Sequence, residues 1–220
     1  FRLNGACRFG ARGPIMRAMT DLAFHALPDG RRIAYRFSPG TGPALVFLPG
    51  YLSDMAGGKA QAVMAHARAR GQACLLLDYS GCGESDGTFA EGSLSRWRGE
   101  IVSLVRALGL DRVVLIGSSV GGWLMLLAAL DLGERGAGLV GLAAAPDFTE
   151  WGFEADQKAA LAAGETIFED NPYGPEPTPT HARFWADGQE SLLLGGTIDL
   201  ACPVRLLHGQ ADPDVPWQVS

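Results

Sequence analysis

The pentapeptide Gly117-Ser118-Ser119-Val120-Gly121 sets a serine between two glycines, where an apolar, β-branched run at 113–116 gives way to a segment of helical character from about Trp123. A serine hydroxyl attacks an acyl carbonyl only when it is exposed and activated. A G-x-S-x-G turn between a strand and a helix supplies the exposure, and its glycines are required because a Cβ on either side would strike the neighbouring strand and helix. The helix start beyond it points N–H groups at developing negative charge. Ser119 is the candidate nucleophile for acyl transfer.

Such a serine needs two donors aimed at the tetrahedral oxyanion, usually the N–H after the nucleophile and one from the loop after an earlier strand. Val120 and Tyr51, the latter in Leu48-Pro49-Gly50-Tyr51, fill those places as the candidate oxyanion hole. The stretch from His208 to Pro216 follows another apolar strand, and in it Asp212 is the candidate acid, able to fix a histidine tautomer and stabilise the imidazolium. Asp214 and Asp147 are its rivals. In this chemistry the base follows the acid in the chain, yet no histidine follows Asp212, and His25, His66, His181 and His208 all read as structural.

A second glycine-rich loop, Asp78-Tyr79-Ser80-Gly81-Cys82-Gly83-Glu84-Ser85-Asp86-Gly87, has the look of a dinucleotide site. Asp78, Glu84 and Asp86 would repel a pyrophosphate there, so Asp78 reads instead as a buried acceptor that ties the loop down. Neither a metal constellation nor a cofactor loop stands out, and no cofactor is expected.

These residues need a scaffold. The chain has 220 residues, 47% hydrophobic and 19% charged, enough for one well-buried domain. Eighteen Lys and Arg stand against 24 Asp and Glu, and a net charge of -6 argues against a nucleic-acid partner. Four scattered cysteines fit neither zinc nor a disulfide framework, so reduced thiols and a cytoplasmic location are expected. The uncharged run from Val113 to Leu130 approaches the length of a spanning helix, but the glycines and serines at its middle divide it into strand, turn and helix. Residues 1–20 are basic and lack an apolar block; they read as a leader or a non-native upstream segment.

Residues 22–27 and 31–37 flank Pro28-Asp29-Gly30 as a hairpin. Strands are predicted at 44–48, 73–79, 112–116, 138–143 and 204–208. Helices are predicted at 59–70, closed by Gly71, and along the stripe Leu94, Trp97, Ile101, Leu104, Val105, Leu108, ended by Gly109. The alternation gives a mostly parallel sheet covered by helices on both faces. Between 147 and 190, where Pro172, Pro175, Pro177 and Pro179 crowd together, no sheet strand is evident; the segment reads as a short cap or lid insertion in a domain spanning 21–220.

Together these landmarks resemble the α/β-hydrolase superfamily, from about Leu22 to the end of the chain. More narrowly, the strings from Pro49 to Ala60, Gly117 to Leu126 and Arg205 to Gly209 resemble the mitochondrial palmitoyl-protein thioesterase and acyl-glucuronide esterase branch and its bacterial relatives. The resemblance implies Ser119 as nucleophile, Asp212 as acid, Tyr51 and Val120 as oxyanion donors, and a histidine on a loop after one more strand. It implies hydrolysis of an ester or thioester, on a small molecule or an acylated protein, through an acyl-serine. A non-catalytic binding protein or a serine acyltransferase is the alternative. Because the chain stops before that strand, its loop and a closing helix, the expectation is a fragment incomplete at its C-terminus, with little activity of its own.

Overall fold

Asp29 and Gly30 reverse the chain between β1 (Ala23–Ala26) and β2 (Arg32–Ser38), Gly30 taking the positive φ of 87° that the turn requires. In this computed structural model, which describes residues 21–171 and 174–220, these strands open a seven-stranded sheet. Its other members are β3 (Thr41–Leu48), β4 (Gln72–Leu77), β5 (Val113–Ser118), β6 (Gly136–Leu142) and β9 (Val204–Leu207), in the order β1-β2-β4-β3-β5-β6-β9. The pairs β1·β2 and β2·β4 are antiparallel and the remainder parallel. All the predicted sheet strands are present within a few residues of their expected bounds. The leader reading of residues 1–20 lies outside the described residues.

Helices cover both faces, which is why β3 and β4 are apolar along most of their length rather than alternating. On one face α1 (Gly58–Arg70) buries Ala60, Met64 and Ala67 against Phe47, Cys74 and Leu76. Gly71 closes it in the left-handed conformation, φ 65°. On the other face α2 (Leu94–Ala107) and α3 (Val120–Leu132) pack Trp97, Ile101, Leu104, Trp123 and Leu127 over Val46, Leu75, Val113 and Leu115. The α2 stripe also contains Glu100, buried, whose carboxylate accepts from Arg31 at 2.6 Å and from the Ser80 N–H and hydroxyl at 2.9 and 2.6 Å. One acid thereby joins the first hairpin to the glycine loop.

Residues 147–190 leave the sheet, as their loosened pattern suggests, but they are more ordered than the sequence shows. They form α4 (Phe148–Trp151), α5 (Ala155–Ala162) and α6 (Ala182–Gln189), with a separate antiparallel hairpin of β7 (Thr166–Glu169) and β8 (Thr178–His181). Indole N–H groups fasten the excursion: Trp123 to the Ser191 carbonyl at 3.1 Å, Trp151 to Pro146 at 2.8 Å and Trp185 to Thr149 at 3.2 Å. Among the described residues no helix is long and apolar enough to cross a membrane.

Candidate active site

Strand β5 ends at Ser118 and α3 begins at Val120, leaving Ser119 to make the whole turn at φ 54°, ψ -125°. A side chain held there costs on the order of 1–3 kcal/mol, so the surroundings must enforce it. They do: the Ser119 N–H donates to Leu142 at 3.1 Å, and its carbonyl accepts from Gly122 at 2.8 Å and Ala145 at 3.0 Å. The flanking glycines are required by close backbone approach. A Cβ on Gly117 would stand 2.3 Å from the Gly121 carbonyl oxygen, and one on Gly121 would stand 2.2 Å from that of Leu48. Ser119 is half-buried and lines two adjoining cavities of about 450 and 600 Å³.

The loop after β3 lies against this turn. A Cβ on Gly50 would be 3.2 Å from the Ser119 Cβ, so the backbone entering Tyr51 rests on the serine. Leu52, with φ 52°, turns the chain away again. Neither the Tyr51 nor the Val120 N–H has a protein acceptor among the described residues. Several groups hold the loop. The Tyr79 hydroxyl donates to the Pro49 carbonyl at 3.1 Å, Gln61 donates to the Met55 carbonyl at 2.7 Å, and the buried Asp78 accepts from Met55 at 2.7 Å and Glu84 at 2.9 Å. Asp78 is thus the buried acceptor that the glycine loop implies. Desolvation raises its pKa even against those two N–H donors.

Asp212 sits in the loop after β9. Its Oδ1 accepts from the Val215 and Asp214 N–H groups at 2.9 and 3.0 Å, and these bonds, helped by the charges of His208 and Lys59, hold it below the ordinary aspartate value. Asp214 lines both cavities with Ser119, whereas Asp212 lines neither. Asp147, the third candidate acid, is buried and left-handed at φ 55°, with one oxygen accepting from Leu193 and the other from Leu194, each at 2.8 Å. It ties the excursion's start to the chain beyond its end.

The histidines lie elsewhere. His25 bonds Ser103 at 2.8 Å, His181 bonds Thr166 at 2.9 Å, and His208 uses both ring nitrogens, on Ser220 at 2.6 Å and Val215 at 2.9 Å. His66 is exposed on α1. None of the four lines a cavity with Ser119.

Sequence reasoning missed two contributors. Lys59, in the first turn of α1 where the helix dipole disfavours a cation, donates its ammonium to Ser118 Oγ at 3.2 Å and lines the smaller cavity. Its place at a helix start is the signal that could have marked it. Glu169, Asp170, Asn171 and Thr178 from the hairpin line the larger cavity, and nothing in their spacing foretells it. Among the described residues no group of three or more His, Cys, Asp or Glu side chains is placed to hold a metal ion.

Comparison with known proteins bears on this arrangement. The family described as alpha/beta hydrolase fold matches residues 43–195. Human mitochondrial palmitoyl-protein thioesterase ABHD10 is 36% identical over 216 residues, covering 94% of this chain and 69% of the relative, and the rat protein of that name is 38% identical over 210 residues, covering 93% and 70%. Among solved structures, a putative hydrolase from Agrobacterium vitis S4 superposes with TM-score 0.83 at 34% identity, covering 90% of this chain and 83% of that one. Mouse alpha/beta hydrolase domain-containing protein 10 gives 0.82 at 34%, covering 90% and 81%. A strained serine between a parallel strand and a helix, beside a loop with a free N–H, thus sits in a chain that belongs to the alpha/beta hydrolase family.

Proposed function

We propose that this hydrolase cleaves carboxylic esters or thioesters through an acyl-serine. The observation that carries the reading is the conformation of Ser119, locked in an unfavourable region with its side chain toward two cavities and two unpaired N–H groups beside it. In this reading Ser119 Oγ adds to the acyl carbonyl as its proton passes to an imidazole, and the Val120 and Tyr51 N–H groups receive the oxyanion. Collapse expels the alcohol or thiol with that proton, and water repeats the sequence to free the acid. Asp212 orients the imidazole. His25, His181 and His208 are committed to other contacts and His66 is exposed on α1, away from Ser119, so the base in this reading comes from outside these 220 residues. The excursion at 147–190 acts as a cap, its hairpin walling the larger cavity. The names of the curated relatives favour an acyl thioester as substrate, on a protein or a small molecule.

The test is Ser119→Ala in the full-length protein, assayed on p-nitrophenyl esters and acyl thioesters of graded chain length. Turnover is expected to fall by at least about 10³-fold, and parent-level turnover would overturn the reading. A second reading, ligand binding without turnover, draws on the absence of a histidine beside Ser119. It predicts that the full-length protein binds fatty acids but is not labelled by a fluorophosphonate.

A further inference from the structure

Tyr51 joins two parts of the molecule that the sequence separates by more than a hundred residues. The residue before it, Gly50, lies against Ser119, while its own hydroxyl donates to the Pro179 carbonyl of β8 at 3.0 Å. Its ring packs between Phe89, edge-on at 4.9 Å, and Phe184 of α6, tilted at 4.9 Å. Phe184 in turn contacts Trp97, which stacks on Tyr79 at 5.3 Å, and Tyr79 holds the Pro49 carbonyl of the same loop. The loop is therefore gripped at Pro49 by the sheet side and at Tyr51 by the excursion. The phenol is shielded from water, and burial pushes its pKa well up, so it remains a donor at any ordinary pH.

We propose that Tyr51 is a positioning residue linking the cap to the oxyanion site: the bond to Pro179 and the packing on Phe184 fix where the Tyr51 N–H points. The proposal rests on the serine-hydrolase reading above. A donor helps only when it is aimed at the place the oxyanion will occupy, and small misplacements are costly. A loop gripped at Pro49 alone can still pivot through Gly50, which has no side chain to lock it. On this view the cap does more than enclose substrate, because its docking completes the geometry of the oxyanion hole.

The experiment compares the full-length protein with Tyr51→Phe, which keeps the ring and removes the hydroxyl, with Phe184→Leu, and with the double variant. Each single change is expected to lower kcat about three- to tenfold, the range a single hydrogen bond or ring contact supports, with KM within about twofold. The double variant should lose less than the product of the two, because both changes cut one link. An alkyl boronic acid, which bonds Ser119 Oγ and sets a boron-bound oxygen in the oxyanion position, should bind Tyr51→Phe more weakly by about the factor lost in kcat. A Tyr51→Phe protein with parent kcat and parent boronate affinity would overturn the proposal even if its melting temperature fell, and so would strictly multiplicative losses. Should Phe184→Leu fail to fold, Tyr51→Phe and the boronate decide alone. Ser119→Ala separates the two levels: if it retains the parent rate, the hydrolase reading and this proposal fall together. If it is inactive while Tyr51→Phe is unchanged, only the link falls.

Discussion

Replacing Gly121 by alanine tests the close approach on which the whole site depends. The new methyl carbon would stand 2.2 Å from the Leu48 carbonyl oxygen and 2.4 Å from that of Pro49, both backbone atoms, so no side chain can swing aside. Reaching even 3.0 Å requires a separation of about 0.8 Å between the start of α3 and the end of β3. Leu48 is fixed in register opposite Gly117, and Gly122 is bonded to Ser119 at 2.8 Å. The displacement must therefore pass into the Pro49-Gly50-Tyr51 loop on one side and into Ser119 on the other. Overpacking of this kind costs about 1–3 kcal/mol, which for a chain of this size lowers the melting temperature by roughly 3–10 °C. A shift near 1 Å at the reacting atoms should cost about a hundredfold in kcat. Gly99→Ala is the control: Gly99 is exposed on α2 with nothing near its missing Cβ. It should gain about 0.5–1 kcal/mol with kcat unchanged. Melting by differential scanning fluorimetry and turnover of a p-nitrophenyl ester by the full-length protein measure both quantities. If Gly121→Ala melts within about 1 °C of the parent and keeps its kcat, the packing argument for this turn is wrong.

The two aspartates should separate in the same assays. Asp212→Asn is expected to lower kcat by about 10³–10⁴ with little change in melting temperature, whereas Asp147→Ala, which strands the Leu193 and Leu194 N–H groups, should cost about 1–3 kcal/mol of stability. Glu100→Ala leaves the buried Ser80 N–H without its acceptor, while Arg31 keeps its pairing with Asp29, and should cost about 1–3 kcal/mol by urea unfolding. The Asp212 carboxyl is held below its ordinary value of 3.8, so its contribution is present above that pH and is lost only as pH falls through the depressed value. An acid limb in kcat/KM between about pH 5 and 8 would belong to the base, and Asp212→Asn should not move that limb's lower edge through its own titration. Burial pushes the Cys74 and Cys82 thiols up to about 12, so iodoacetamide at pH 8 should leave both unmodified in the native protein, as read by peptide mass mapping.

The sheet, its two antiparallel leading strands and the helices of both faces were legible because each carries an unmistakable local signal: Asp29-Gly30 for the hairpin, Gly71 for the end of α1, and a continuous apolar run for each doubly covered strand. The strained turn at Ser119 was legible because a strand, a glycine-serine-glycine turn and a helix follow one another directly. The β7·β8 hairpin was not, since each strand has four residues, β8 contains Pro179, and the link between them is rich in proline. Its order comes from outside, through the Tyr51 hydroxyl on Pro179, Gln157 on Glu169 and Phe89 against His181. The role of Asp147 was hidden for a related reason. An aspartate after a sheet strand is equally suited to orient a histidine or to receive two backbone N–H groups, and the chain segment at 193–194 that decides the matter is distant in sequence.

The indole bonds of the excursion also make it self-reporting. Trp185 spends its only polar hydrogen between two of the excursion's helices, Trp151 on Pro146, where the excursion begins, and Trp123 on Ser191, where it rejoins the body. Lifting this region from the sheet would strand the Trp123 hydrogen on a side chain that is otherwise fully enclosed, until solvent reaches it and carries it off. The exchange rate of that one indole proton is therefore a clock for how often the roof comes away, readable by NMR without substrate, inhibitor or any added label.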